Sequence, residues 1–273
     1  MAQSKIRYLA TMLVASVALC VGTALAQDED SGNQDGGSIS KLCAGLPSYS
    51  ALKSALKAAQ SQSNGGFGLN MWASVVNRDG IVCAVAFTGS DRGEQWPGSR
   101  VISAQKANTA NAFSLPGLAL STANLYSAVQ PGGSLYGLQA SNPVDTGVAY
   151  GGNPANYGRS NDPMVGNRIG GVNVFGGGLA LYNSDHELIG AIGVSGDSSC
   201  ADHNIAWKTR STLGLDYVPG GVSGDSARKD NIVYDITPQA GQMPGVSAGG
   251  WGQPHCVNPA AESSIASTLP VNK

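Results

Sequence analysis

Residues 168–210, RIGGVNVFGGGLALYNSDHELIGAIGVSGDSSCADHNIAWKTR, decide the fold. Val172, Val174, Leu179, Leu181 and Tyr182 load a first strand, interrupted by Gly176, Gly177 and Gly178. Asn183-Ser184-Asp185 carries turn chemistry, since short polar side chains bond their own backbone there. Leu188, Ile189, Ala191, Ile192 and Val194 form a second strand. Ser195-Gly196-Asp197 then exits into a helix whose start has the Ser199-x-x-Asp202 spacing of a capping box. A hairpin feeding a helix cannot bury its own apolar surface, so the other elements are expected to pack against it.

Working outward, Ser48 or Ser50 opens a helix with Leu52, Ala55, Leu56 and Ala59 along one side, and Asn64-Gly65-Gly66 ends it. Met71 to Val76 and Ile81 to Phe87 read as strands joined by Asn77-Arg78-Asp79-Gly80; Asp-Gly between apolar runs is a strong hairpin signal. Asp91 to Gly98 is a loop that holds Trp96 beside Pro97. Ser99 caps a helix that reaches Ser114 and stops at Pro116-Gly117. On it Ile102, Lys106, Thr109 and Phe113 share a sector of roughly 60° on a helical wheel. A lysine and a threonine therefore interrupt an apolar stripe. Either Lys106 snorkels to solvent and Thr109 bonds back to its helix, or the two face a ligand.

Ser121 to Val129 reads as a further helix, ended by Pro131-Gly132-Gly133. Residues 131–170 are rich in Gly, Pro and Asn, and so long a loop in a compact domain is a functional or interface element. After Leu215 the chain turns irregular, and residues 216–273 read as an extension wrapping the domain rather than a second one.

The N-terminus has every feature of a secretory signal peptide over residues 1–26. Lys5 and Arg7 are basic, Leu9 to Val21 is a short apolar run, and Ala24-Leu25-Ala26 suits cleavage. A lipoprotein signal at Cys20 would want a small residue where Leu19 stands. Residues 27–45 read as a flexible acidic-to-glycine linker and 46–215 as the domain. No later apolar stretch is long enough to span a membrane, so an exported protein, periplasmic or extracellular, is expected. Loss of Lys5 and Arg7 takes the basic count from 16 to 14 against 18 acidic residues, a net charge of −4. No basic stripe exists, which argues against nucleic acid as a partner. Charged residues make up 12 % of the chain, about half the usual ~25 %.

Cleavage would leave Cys43, Cys83, Cys200 and Cys256, an even count that suggests disulfides in an exported protein. Of the possible connectivities we expect Cys43–Cys83 and Cys200–Cys256, the second stapling the tail to the start of the last helix. No CxxC or clustered Cys/His spacing appears, so no metal site is expected. Gly245-Val246-Ser247-Ala248-Gly249 matches GxSxG but lies in a Gly/Pro-rich tail, not between a strand and a helix. His186 sits in a turn and His255 in the tail. His203 and Asp202 are the candidate acid–base residues. Each also has a plain structural role, His203 as a packed hydrogen-bonded side chain and Asp202 as the capping partner of Ser199.

DGIVCAVAFTG, PGSRVISAQKANTANAF and the 168–210 stretch together resemble the GlcG/HbpS-like family, also called the haem-degrading domain or DUF336. The likeness runs from Leu46 to Leu215. Its most specific parts are Lys106-Ala107-x-Thr109-Ala110 and Gly190-Ala191-Ile192-Gly193-Val194-Ser195-Gly196 followed by Asp202. The resemblance implies an α/β (α+β) profilin-like fold, a five-stranded antiparallel sheet with flanking helices, commonly assembled into homo-oligomers. Here an irregular disulfide-stapled C-terminal extension would be added. It also implies binding of haem or a related tetrapyrrole in some members. The family's haem contact is a threonine of this helical region, which points to Thr109, with Thr122 as a rival. Lys106 or Arg100 would pair with the ligand's carboxylates, and Ile102, Phe113 and Trp96 would cover the macrocycle. The alternatives are an enzyme or accessory subunit acting on a small organic acid, and a purely structural oligomeric module.

Overall fold

The computed structural model describes residues 36–273; the signal-peptide reading of residues 1–26 lies outside the described residues. Gly36–Leu42 form helix α1, and Cys43 just beyond it is bonded to Cys83.

The framework is two hairpins side by side. β1 (Trp72–Asn77) and β2 (Val82–Phe87) form the first, β3 (Gly178–Tyr182) and β4 (Leu188–Ser195) the second, and β1 pairs with β4 to give an antiparallel sheet of order β2-β1-β4-β3. The first turn is locked by the Asn77 side chain, whose Oδ1 accepts the Asp79 and Ile81 amides at 3.0 and 2.9 Å. Every residue of β1 and β3 is buried, so the strands lack the polar alternation of a half-solvated sheet and both faces must be covered.

Helices supply that cover. α2 (Tyr49–Gln60) and α6 (Ser199–Thr212) lie on one face, where Leu52, Leu56 and Trp207 pack against Val75, Leu181 and Ile192. Burying each such side chain is worth about 1.5–3 kcal/mol. α3 (Ser99–Phe113) covers the other face, with Val101, Ala104, Ala107 and Ala110 against Trp72, Val76 and Ala191. Ser48 caps α2 by accepting the Ala51 amide, and the predicted stripe of Leu52, Ala55, Leu56 and Ala59 is its buried face.

The sheet has four strands where five were expected. The strand read as running from Val172 to Tyr182 begins only at Gly178, because side chains claim the amides of residues 172–176. The Asn173 N–H goes to Thr109 Oγ1 at 2.9 Å, and the Gly176 N–H to Gln253 Oε1 at 2.7 Å. With its donors used this way the segment forms no ladder. Ser121 to Val129 is a run of turns ending in the short 3-10 helix Ser127–Val129, not an α-helix. Asn124 diverts the backbone, accepting the Ser121 amide and hydroxyl through Oδ1 at 3.0 and 2.8 Å. The Ser99 cap is also corrected: Gly98 precedes the helix and Ser99 is its first residue. Within residues 131–170 two short helices form, α4 (Leu138–Ser141) and α5 (Thr146–Tyr150).

The extension is more ordered than its composition suggests. It holds a separate hairpin, β5 (Ile236–Gln239) with β6 (Gln242–Ser247), and helix α7 (Pro259–Thr268). It also encloses α6. Arg210 pairs with Asp230 at 2.6 and 2.8 Å, the Trp207 indole donates to the Pro270 carbonyl at 2.8 Å, and Cys200 is bonded to Cys256. Both expected disulfides are present. Among the described residues no helix is long and apolar enough to cross a membrane.

Candidate functional site

Helix α3 carries the charged residues singled out in the sequence, and the fold turns them inward. Lys106 is 2 % exposed. Its Nζ donates to Asp202 Oδ2 at 2.7 Å and to the Val194 carbonyl at 3.2 Å. Asp202 comes from the first turn of α6, and its Oδ1 accepts the Asp197 amide at 2.9 Å. The capping-box expectation is therefore corrected. Ser198 is the cap, accepting the Ala201 amide at 3.3 Å, which frees Asp202 to face the lysine. Gly177 covers the pair at φ +122°, and a side chain there would press on Lys106 Nζ. Burial pushes the Asp202 carboxyl up to about 6, outweighing the ammonium that draws it down.

Thr109 is fully buried. Its hydroxyl donates to the Gln105 carbonyl at 2.7 Å and accepts the Asn173 amide, so it ties the glycine-rich segment to the helix. Thr122 holds the same segment further on, donating to the Phe175 carbonyl and accepting the Gly178 amide at 2.8 Å. Phe113 sits in a different apolar cluster, with Leu120, Leu125 and Val129. Trp96 is 54 % exposed, while Ile102 is half-buried. The structure thus brings Lys106, Asp202, Thr109 and Thr122 around one closed seam and sets Phe113 and Trp96 apart.

Arg100 acts elsewhere. It grips Asp162 through Nε at 2.9 Å and through Nη2, and donates to the Ala149 carbonyl at 2.7 Å. Its guanidinium lies 3.6 Å from the centre of the Tyr157 ring. Asp162 in turn accepts the Gly158 and Met164 amides at 2.7 and 2.9 Å. This buried pair fixes the second half of the long loop, whose outer surface forms one wall of an open cleft.

That cleft, of about 630 Å³, is lined by Tyr49, Phe87 and Tyr157, by the cations Lys53, Arg92 and Arg159, and by the carboxylate of Asp91. Tyr49 donates to the Gly158 carbonyl at 3.2 Å and accepts from Lys53 Nζ at 3.0 Å, which aligns the ammonium along the wall. A second cleft of about 510 Å³ lies between residues 126–134 and the β5–β6 hairpin, beside Tyr126 and Trp251, and has no charged lining residue. Neither cleft is lined by Lys106, Thr109, Arg100, Phe113 or Trp96. Sequence reasoning missed Lys53, Arg92, Tyr157 and Arg159. They share no element and no periodicity, and only the Arg100–Asp162 pair brings the last two to the others.

His203 is fully buried on α6, with Nε2 placed 3.2 Å from Asn231 Oδ1 and 3.1 Å from the Ile232 amide. Its Nδ1 has no partner. The tautomer with hydrogen on Nε2 leaves only an acceptor unpaired, the cheaper choice. Burial holds the imidazole down to about 4 from 6.5. Between those values the unfolded chain takes up a proton that the folded one refuses. The associated stability is complete above pH 6.5 and is lost as pH falls toward 4. Relative to a His203→Gln variant, the protein should lose ~2 kcal/mol between pH 7 and about 5. Urea unfolding of both proteins at the two pH values measures this, and equal pH slopes would remove the assignment.

The GxSxG serine is held as part of a hairpin. Ser247 donates to Asp235 Oδ1 at 2.6 Å and accepts the Gly252 amide at 3.0 Å, within β6 rather than at a strand-to-helix turn. His186 is exposed in its turn, and His255 is half-buried against Tyr234.

The family model described as haem degrading protein HbpS-like matches residues 48–210, well over half of the chain. Among solved structures the chain is similar to the Klebsiella pneumoniae protein ORFY, of family model DUF336, at 25 % identity, covering 61 % of this chain and 90 % of that one with a TM-score of 0.41. A PduOC–haem complex matches at 24 % identity over 60 % and 89 % of the two chains, TM-score 0.41. A double mutant of Streptomyces reticuli HbpS matches at 18 % over 74 % and 99 %, TM-score 0.39. None of the curated proteins matches. With the family model spanning the sheet and the helices that cover it, this chain belongs to the HbpS-like family.

Proposed function

We propose that this is an exported protein that binds haem or a related tetrapyrrole, seated in the cleft between α2, β2 and the 154–160 loop. Membership of a family described by haem chemistry supports the ligand class. The observation that carries the reading is the cleft itself. It joins three aromatic side chains, suited to a flat macrocycle, with three cations suited to its carboxylates. Two disulfides and the N-terminal sequence support export. Assembly into a homo-oligomer, implied by the family, belongs to the same proposal.

Titration with haemin should give a saturable Soret shift. A Lys53→Ala, Arg159→Ala double variant is expected to bind about tenfold more weakly, a loss of ~1.4 kcal/mol of charge-assisted bonding. Thr109→Ala provides the rival arm. If that change abolishes the shift and the double variant leaves it intact, the ligand lies under the glycine-rich segment instead. No shift at stoichiometric haemin would overturn the proposal.

A further inference from the structure

The cleft beside Trp251 has a chemistry opposite to that of the cation-lined one. None of its lining residues is charged. Its volume, about 510 Å³, falls in the ~300–1,000 Å³ range of small-ligand sites. One wall, residues 126–134, lies within the stretch that the family model matches. The other, Ile236 and residues 245–251, lies in the extension beyond it. We propose that this cleft is a second binding site, which takes a neutral saccharide.

Tyr126 and Trp251 supply the apolar half of the fit. Trp251 is half-buried: it packs against the cluster of Leu120, Leu125 and Val129 and also lines the cleft. Tyr126 is half-buried too, with its ring 6.0 Å from that of Phe175. Rings held in this way lose little freedom when a ligand arrives. A pyranose has an apolar face of C–H groups, and the negative face of an aromatic ring attracts them.

Gln130, Ser134 and bare peptide groups supply the polar half. Gln130 commits Nε2 to the Tyr126 carbonyl at 3.1 Å, which leaves its Oε1 to accept from a ligand hydroxyl. Ser134 is exposed on the same wall. At Gly132 and Gly250 nothing lies within 4 Å of the place a Cβ would take, so a ligand can reach the main chain there. A sugar hydroxyl both donates and accepts, and it answers amide, hydroxyl and peptide groups without any charge. A carboxylate or phosphate would meet no cation in this cleft. A wholly apolar ligand would leave the polar groups desolvated and unpaired.

The two walls are joined before a ligand enters. The Ser127 hydroxyl donates to the Gly252 carbonyl at 2.6 Å and so ties the 126–134 wall to the Trp251 segment. Behind the second wall Asp235 accepts the Ser247 hydroxyl and the Gly249 amide at 2.6 and 2.7 Å. The serine of the GxSxG match is thus used to shape the cleft.

Calorimetric titration of the full chain with cellohexaose, maltohexaose and chitohexaose, with haemin absent, tests the site independently of the haem reading. At least one of the three should bind one-to-one with a Kd below about 1 mM and shift the tryptophan fluorescence. Trp251→Ala should weaken that binding about tenfold or more, while Trp251→Phe should keep most of it. A Gln130→Leu, Ser134→Ala double variant should weaken it about tenfold. This variant carries the test if circular dichroism shows that Trp251→Ala does not fold. Trp96→Ala, an exposed tryptophan outside the cleft, should leave the affinity unchanged. The proposal falls if none of the three saccharides binds at about 10 mM, or if the double variant and a folded Trp251→Ala both bind like the unaltered chain. It falls equally if a sulfated or carboxylated oligosaccharide binds more tightly than every neutral one, or if a proline decamer binds and no saccharide does.

Discussion

Gly193→Ala is expected to destabilise the fold by about 3 kcal/mol. Gly193 lies in the middle of β4 where α3 crosses it, and an added Cβ would run into the Ser103 carbonyl oxygen, the Ala107 amide nitrogen and the Lys106 side chain. Two of those neighbours are backbone atoms and cannot rotate away. Relief requires α3 to lift from the sheet. Lifting it would loosen the buried Ser74–Ser103 hydroxyl bond of 2.8 Å and strain the Lys106–Asp202 pair. Overpacking of this kind costs about 3 kcal/mol or more, a large part of the ~5–15 kcal/mol available to a domain. Gly117→Ala is the matched control, since nothing lies within 4 Å of its Cβ position. That change should stay within about 0.5 kcal/mol of the parent. Urea denaturation of the two variants reads the difference, and a fully folded Gly193→Ala protein of parental stability would refute the packing argument.

Asp202→Ala is expected to cost about 3–5 kcal/mol, for an electrostatic reason. It strands the Lys106 ammonium in the interior with only the Val194 carbonyl as partner, and deprives the Asp197 amide of its acceptor. Replacing both ends should behave differently. A Lys106→Met, Asp202→Leu double variant removes the two charges together and should recover most of the loss. A double-mutant cycle in guanidinium separates the pair from its surroundings. A double variant as unstable as Asp202→Ala alone would show that the pair's attraction, not the isolated charge, sets the cost.

Much of this fold was legible because local signals agreed. The α2 stripe, the Asp79-Gly80 turn and the apolar runs of β2 and β4 each obey one short-range rule, and the structure keeps them within a residue or two. The failures share a cause. Residues 172–176 and 121–126 have acceptable strand or helix composition, yet side chains take backbone groups that a ladder or helix would need, distant ones in the first segment and the local Asn124 in the second. Gln253 and Thr109 act on the first, and in the second the Asn124 side chain is itself anchored by donating to the distant Asn231 carbonyl at 3.0 Å. The polar pair Lys106 and Thr109 stood out in the sequence, although the stripe they interrupt is not one apolar face: Phe113 packs in a separate cluster and Ile102 is half-buried. Periodicity alone could not reveal that Asp202 and Asn173 answer them. The cleft was out of reach for the same reason, since its cations come from α2, a loop before α3 and the long loop.

The family model ends at residue 210, but bonds that complete the interior run across that point. A chain cut after α6 would keep the sheet and still carry a guanidinium deprived of Asp230, an indole N–H deprived of Pro270 and a sulfur deprived of its mate. Residues 216–273 are therefore not a detachable appendage: the interior of the first part is completed by partners that only they supply.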